Sequence, residues 1–195
     1  MATEPTETHA LESAWSIWEL RDSGSSKSNY GENLHRLCTF STVEEFWGYW
    51  NNIPKPSQVL NDGVVKKKFT DRSVQSFAVF KEGIRPEWED SANMSGGEWQ
   101  LSIKLQAGPL DELWDKLVLG MIGETIDPTN EVTGARVVHK NKKDSHSYRF
   151  ELWLRSRDRN LADEIRKNMV ACMNQEGVYP SKVVISDCSH KEHRH

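Results

Sequence analysis

Gly134-Ala135-Arg136-Val137-Val138-His139-Lys140 and Tyr148-Arg149-Phe150-Glu151-Leu152-Trp153-Leu154-Arg155 alternate with a period of two, across the polar turn of residues 141–147. Such a pair reads as neighbouring antiparallel strands, each turning one face to a core. Upstream, residues 76–80 and 98–106 read as strands flanking a loop over 81–97, and Trp15-Ser16-Ile17-Trp18-Glu19-Leu20 alternates in the same way. Shorter strands are expected near 36–40 and over 182–186. Helical stretches lie between them. Ser41 opens a capping box with Glu44 ahead of a helix reaching residue 52, where Pro54 and Pro56 stop it. Pro109 sits in the first turn of a second helix that reaches residue 122, and a third spans 158–175 before Gly177. Residues 59–75 read as a loop, with a turn signal at Asn61-Asp62-Gly63 and the basic run Lys66-Lys67-Lys68. Strands in hairpin order, interrupted by three helices, predict an α+β domain. Its mainly antiparallel sheet has one face covered by helices and the other open to a ligand.

Composition narrows the function. The chain has 195 residues, 36% hydrophobic and 28% charged, which fits one globular domain. A formal net charge of −4 argues against coating nucleic acid through bulk electrostatics, so any RNA contact must be local and chemically specific. Cys38, Cys172 and Cys188 are far apart and form no Cys-x-x-Cys pair, as expected of thiols in a reducing compartment. No apolar run approaches the roughly 20 residues that span a bilayer. The expectation is a cytoplasmic protein with no membrane association and a flexible N-terminal end over residues 1–8.

Eight tryptophans raise the question of which are not core. On a wheel of the first helix, Phe46 and Trp50 take the centre of the apolar arc. Val43 and Trp47 lie on one margin, Tyr49 and Ile53 on the other. The wheel leaves two readings of Trp47: an exposed anchor for a partner, or a ring packed under a loop. In the second helix Leu110, Leu113, Trp114, Leu117, Val118 and Met121 share a face, while Leu119 points away beside Asp115.

The loop Ile84-Arg85-Pro86-Glu87-Trp88-Glu89-Asp90 is where chemistry enters. An indole face attracts positive charge, and a carboxylate accepts from ring N–H groups. Trp88 followed by Glu89 and Asp90 therefore suits a planar cation such as N7-methylated guanine. The same residues also read as a tryptophan lid over the core with solvated acids, and on their own they favour that lid. Lys140, Lys142, Lys143 and Arg149 read first as solvated turn cations, yet Lys140 and Arg149 end and begin adjoining strands, where both could reach phosphates.

These residues fall within a longer collinear pattern. It comprises His9-Ala10-Leu11 before Trp15-Ser16-Ile17-Trp18, then Ser41-Thr42-Val43-Glu44-Glu45-Phe46-Trp47, then Phe80-Lys81-Glu82-Gly83 running into the Trp88 loop. Gly96-Gly97-Glu98-Trp99, Ile122-Gly123-Glu124 and Lys182-Val183-Val184-Ile185 continue it. The pattern resembles the eukaryotic translation initiation factor 4E family, the mRNA cap-binding proteins. The resemblance implies a curved sheet backed by three long helices on its convex face, with a cap slot on the concave side. It implies that Trp88 and Tyr30 sandwich the methylated base, Glu89 pairs with the guanine edge and Trp153 lies beside the methyl group. Lys140, Lys142 and Arg149 would contact the cap phosphates. His9, Val43, Trp47 and Leu119 would form a dorsal surface for a scaffold of the initiation factor 4G type or a 4E-binding regulator.

Several positions depart from the family's pattern. Tyr30 stands where tryptophan is usual, Ala10 where proline is usual, Asp115 at an apolar contact position, and Glu98 at a basic position near the phosphates. The resemblance covers residues 9–189, leaving 190–195 as a short tail. The expected function is binding of the 7-methylguanosine cap for translation initiation, by a monomer needing no cofactor and doing no catalysis. The alternative is a regulator or scaffold of the same fold that binds cap weakly and acts through its dorsal helices. An enzyme is disfavoured because no nucleophile–base or metal-ligand spacing accompanies the acids, and His190, His193 and His195 fall in the expected tail.

Overall fold

The computed structural model describes residues 8–22, 30–60, 69, 72–140, 147–179, 183 and 187–193. Along the chain, β1 (Ala10–Asp22), a single 3-10 turn (Tyr30–Asn33) and β2 (Leu34–Thr42) lead into α1 (Val43–Trp50) and the short α2 (Pro56–Val59). Next come β3 (Ser73–Lys81), β4 (Gly97–Lys104), α3 (Ala107–Ile122), β5 (Val132–His139), β6 (Ser147–Leu154), α4 (Arg159–Met173) and β7 (Cys188–Glu192). The strands form one curved sheet in the order β2-β1-β3-β5-β6-β4-β7, every pair antiparallel. Register shifts in β1 against both of its neighbours mark bulges, which bend and twist the strand that carries them.

Alternation sorts the side chains to two faces. Trp15, Ile17, Phe77, Val79, Ala135, Val137, Phe150, Leu152, Trp99 and Leu101 join the main core with the apolar faces of the helices. Phe46 and Trp50 of α1, and Leu110, Leu113, Trp114, Leu117, Val118 and Met121 of α3, are all buried as their wheels predict. On the opposite, open face, Trp18, Leu34, Ala78, Phe80 and Trp153 form a second, smaller apolar cluster. Here Gly134 is required sterically: a Cβ would lie 2.3 Å from the Phe80 ring. The missing side chain lets Phe80 meet Trp153 edge-on, with centroids 5.3 Å apart.

Some local signals resolve differently. The cap of α1 is Thr42, not Ser41: its hydroxyl accepts from the Glu45 N–H (3.2 Å), and Glu45 accepts from the Ser41 N–H (2.8 Å). Glu44 is thereby freed and takes His9, whose backbone N–H and ring Nδ1 reach it at 3.0 and 2.7 Å. α4 is capped by Asp158 and stops at Asn174 rather than Gly177, because the Asn174 amide turns to pair with both backbone groups of Val183. Of the strand expected over 182–186, only Val183 lies among the described residues. So too the signals at 61–63 and 66–68 fall outside them.

The largest difference concerns residues 190–193, expected in a tail. Instead β7 pairs with β4, Lys191 opposite Glu98, and the ring of His193 is fully buried. The strand hides part of the edge of β4, and a histidine end clamped by Arg157 (Nη2 to the His193 carbonyl, 2.6 Å) holds it there. Among the described residues no helix is long and apolar enough to cross a membrane.

Candidate functional site

Cross-strand register explains which side chains meet on the open face. Trp18, Ala78, Arg136, Glu151, Gln100 and Ser189 stand in one row across the sheet. Ser16, Phe80, Gly134, Trp153, Glu98 and Lys191 form the next. Paired residues share a face, and from these rows Arg136, Trp153 and Lys191 line a slot on it. The loop between β3 and β4 walls it. Buried Asn93 ties that loop into a fixed shape by donating to the carbonyls of Arg85 and Glu87 (both 2.9 Å). Asp90 accepts from the N–H groups of Arg85 and Ala92 (both 2.9 Å). Arg85 forks onto Glu87 at 2.9 and 3.0 Å and donates to the Gly31 carbonyl, joining this loop to the 3-10 turn.

The resulting slot has a volume of about 310 Å³ and is lined by Tyr30, Trp88, Glu89, Arg136, Arg149, Trp153 and their neighbours. Of the site residues expected from sequence, Tyr30, Trp88, Glu89, Arg149 and Trp153 therefore do meet. Lys140 lies off the slot, its ammonium donating to Ser102 (3.0 Å), whose register partner is Arg149. Lys142 lies outside the described residues.

Of the eight tryptophans, six are buried. Trp47 is exposed, whereas Trp88 is half-buried and packs against the small apolar cluster of the open face, so it covers that cluster while also lining the slot. Glu89 is exposed, lines the slot and takes no partner among the described residues, leaving both oxygens available as acceptors. Tyr30 is placed less freely. Its hydroxyl donates to the Pro86 carbonyl (3.1 Å) and accepts from Arg136 (2.6 Å); burial pushes its pKa up, with Arg136 opposing. Among the described residues the ring contacts of Trp88 are with His193 (centroids 5.8 Å apart, interplanar angle 23°) and the Lys191 ammonium, not with Tyr30.

Sequence reasoning missed the group that organises the floor. The fully buried Glu151 accepts from Arg136 (2.6 Å), Arg149 (2.5 Å) and the Trp153 indole N–H (3.2 Å), and so aims two cations and an aromatic at once. Burial works against the charge on Arg136, but Glu151 more than offsets this and raises its pKa, so it stays charged. Period-two spacing does place Arg149, Glu151 and Trp153 on one face. Nothing in the sequence fixes the register that brings Arg136 opposite Glu151.

Glu98 also differs from its expected role. It is not a free negative charge beside the phosphates but a buried partner of Lys191 (4.0 Å) and His193 (3.7 Å), accepting from Gln100 (2.5 Å). Burial raises its pKa, and His193, Gln100 and Arg136 more than reverse that, holding it below the usual carboxylate range. His190 of β7 lies edge-on to Trp99, while His193, just beyond the strand, lies against Trp153.

On the helical side, Trp47, Tyr49 and Leu119 are exposed and Val43 is half-buried. Asp115 accepts from the Trp50 indole (3.0 Å) and from Lys55 (2.8 Å), which neutralises it at the α1–α3 junction.

The family model for Eukaryotic initiation factor 4E matches residues 10–194. Translation initiation factor 4E of Candida albicans is 38% identical over 174 residues, which cover 86% of this chain and 76% of that protein. Factor 4E-2 of Schizosaccharomyces pombe is 38% identical over 160 residues, 81% of this chain and 59% of that one. Among solved structures, C. elegans factor 4E-3 in complex with the 4E-binding protein Mextli and a cap analog has a TM-score of 0.71 at 26% identity, covering 88% of this chain and 89% of its own. Ascaris suum factor 4E-3 with m7G cap has a TM-score of 0.76, covering 96% and 93%; at 24% identity it speaks for the fold alone. A match across nearly the whole chain, on a sheet with this order and this slot, means that the chain belongs to the eukaryotic initiation factor 4E family.

Proposed function

We propose that this chain binds the 7-methylguanosine cap of mRNA in the slot and serves translation initiation in the cytoplasm as a monomer. The family is one of cap-binding translation factors, not enzymes. One observation carries the cap reading. A half-buried indole, a carboxylate with no partner among the described residues, and two guanidinium groups, Arg136 buried and Arg149 partly exposed, line the same cavity, whose volume of about 310 Å³ suits a nucleotide base and its first phosphates. An N7-methylated guanine is cationic and flat, with N–H donors along one edge. Trp88 supplies a π-face, Glu89 the acceptors and Trp153 an apolar floor under the methyl group. Tyr30 is the second wall of the stack in this proposal, and Arg149, Lys140 and Lys142 neutralise the triphosphate. The solved C. elegans relative with a cap analog supports this reading.

Its partner on the dorsal side is a scaffold of the 4G type or a 4E-binding regulator, seated on Val43, Trp47 and Leu119 with His9 at the rim. The complex of the C. elegans relative with Mextli supports a regulator of that kind. A second reading, a regulator with weak cap affinity, draws on the contacts already made by Trp88 and by the Tyr30 hydroxyl. Cap-analog affinity separates the two.

The phosphate assignment has its own test. Arg149→Ala and Lys140→Ala should each weaken 7-methylguanosine triphosphate more than 7-methylguanosine monophosphate, and added salt should weaken the triphosphate further. Each charge-assisted hydrogen bond lost is worth about 1.5–3 kcal/mol. Equal losses for both ligands, measured by calorimetry, would remove these two residues from the phosphates.

A further inference from the structure

Trp88 carries on its ring what the cap is proposed to bring. The Lys191 ammonium stands 3.9 Å from the indole centroid, a cation on the π-face of the one tryptophan that lines the slot without being buried. Lys191 reaches it from the edge strand β7, where register places it opposite Glu98 and, through Glu98, in the same row and on the same face as Trp153. Its backbone is pinned. The Arg157 guanidinium and the Gly96 carbonyl hold the His193 backbone, and the His193 ring nitrogen Nδ1 lies 2.7 Å from the Asn93 carbonyl. The lysine stem, by contrast, is long and half-exposed.

We propose that Lys191 is an intramolecular stand-in for the cationic base: it occupies the Trp88 π-face in the free protein and must swing away when the cap enters. This rests on the cap reading of the slot and adds a regulating side chain to it. Two like charges cannot share one indole face, so entry of a cationic base requires the ammonium to leave. A destination exists beside it. Lys191 also lines a neighbouring cavity of about 710 Å³, so the displaced ammonium finds room there. Lys191 therefore lowers affinity for the cap, and modifying or sequestering it raises that affinity.

Calorimetric titration of the full chain tests this, with 7-methylguanosine, 7-methylguanosine triphosphate and GTP as titrants. Lys191→Met keeps the stem and removes the charge; Lys191→Arg keeps a cation; thermal melts confirm that both fold. Lys191→Met is expected to bind both 7-methylguanosine and its triphosphate about 2- to 5-fold more tightly, the contribution of one exposed cation–π contact, while Lys191→Arg stays near wild type. Weaker triphosphate binding with unchanged nucleoside binding would make Lys191 a phosphate ligand and overturn the proposal. Unchanged binding of both methylated ligands, still tighter than GTP, would also overturn it while leaving the cap reading intact. If neither wild type nor variant distinguishes methylated from unmethylated ligand, the cap reading itself falls and takes this inference with it.

Discussion

Trp50→Ala is expected to lose about 3–5 kcal/mol of folding stability, while Trp47→Ala, three residues away on the same helix, loses little. Trp50 is buried, stacks on Phe46 (centroids 5.2 Å apart) and packs against Trp114 (6.3 Å). Its indole donates to Asp115, and Lys55 lies over its face. Truncation removes that packing and leaves a cavity at the α1–α3 junction. A loss of that size is a large fraction of the stability of an ordinary domain, so binding at both surfaces falls with it. Trp47 instead presents 41% of its surface to solvent, and Leu119 of α3 is exposed as well. Its removal should cost a dorsal partner about 2 kcal/mol or more, as anchor residues do, with cap binding nearly unchanged. Thermal melts and capture of a 4E-binding peptide, run on both variants, separate the two effects. A Trp47→Ala protein that melts as early as Trp50→Ala would place Trp47 in the core and end the docking proposal.

The buried half of this contrast was legible in the sequence because a helix wheel needs only local spacing, whereas the wheel left open whether Trp47 is an exposed anchor or packs under a loop. Phe46 and Trp50 occupied the centre of one arc, and the structure buries both. The open face was half legible. Period-two spacing put Arg149, Glu151 and Trp153 together, and a tryptophan between charges in a Pro-containing loop marked Trp88. Neither signal carries register between strands distant in sequence. Arg136 and Glu151 come together only because β5 and β6 pair in one register. Likewise Glu98, read as an unwelcome charge near phosphates, is buried between Lys191 and His193, because β7 adds to β4. β7 itself was missed since Cys188-Ser189-His190-Lys191-Glu192 is polar and lacks apolar alternation. An edge strand with four of its five residues partly or largely in solvent needs no such pattern; its backbone pairing and the clamped His193 hold it.

Trp88→Ala is expected to weaken 7-methylguanosine triphosphate binding by about 1–3 kcal/mol, the range found when a base loses its aromatic partner. The fold should be spared, because the loop around Trp88 is held by Asn93, Asp90 and the Arg85–Glu87 pair, none of which uses the indole. Calorimetry on the variant, with a melt as control, measures this. Affinity within error of wild type would move the base off Trp88.

Selection of a cationic methylated guanine by the slot underlies the proposed function. It is tested most directly by titrating the unmodified chain with 7-methylguanosine triphosphate and with GTP under one set of conditions, following quenching of tryptophan fluorescence. The two ligands carry the same triphosphate, so contacts at Arg149 and Lys140 cancel and the difference reports the base alone. Clearly tighter binding of the methylated ligand is expected, because only that base brings positive charge to the Trp88 face. Equal affinity for the two would contradict it.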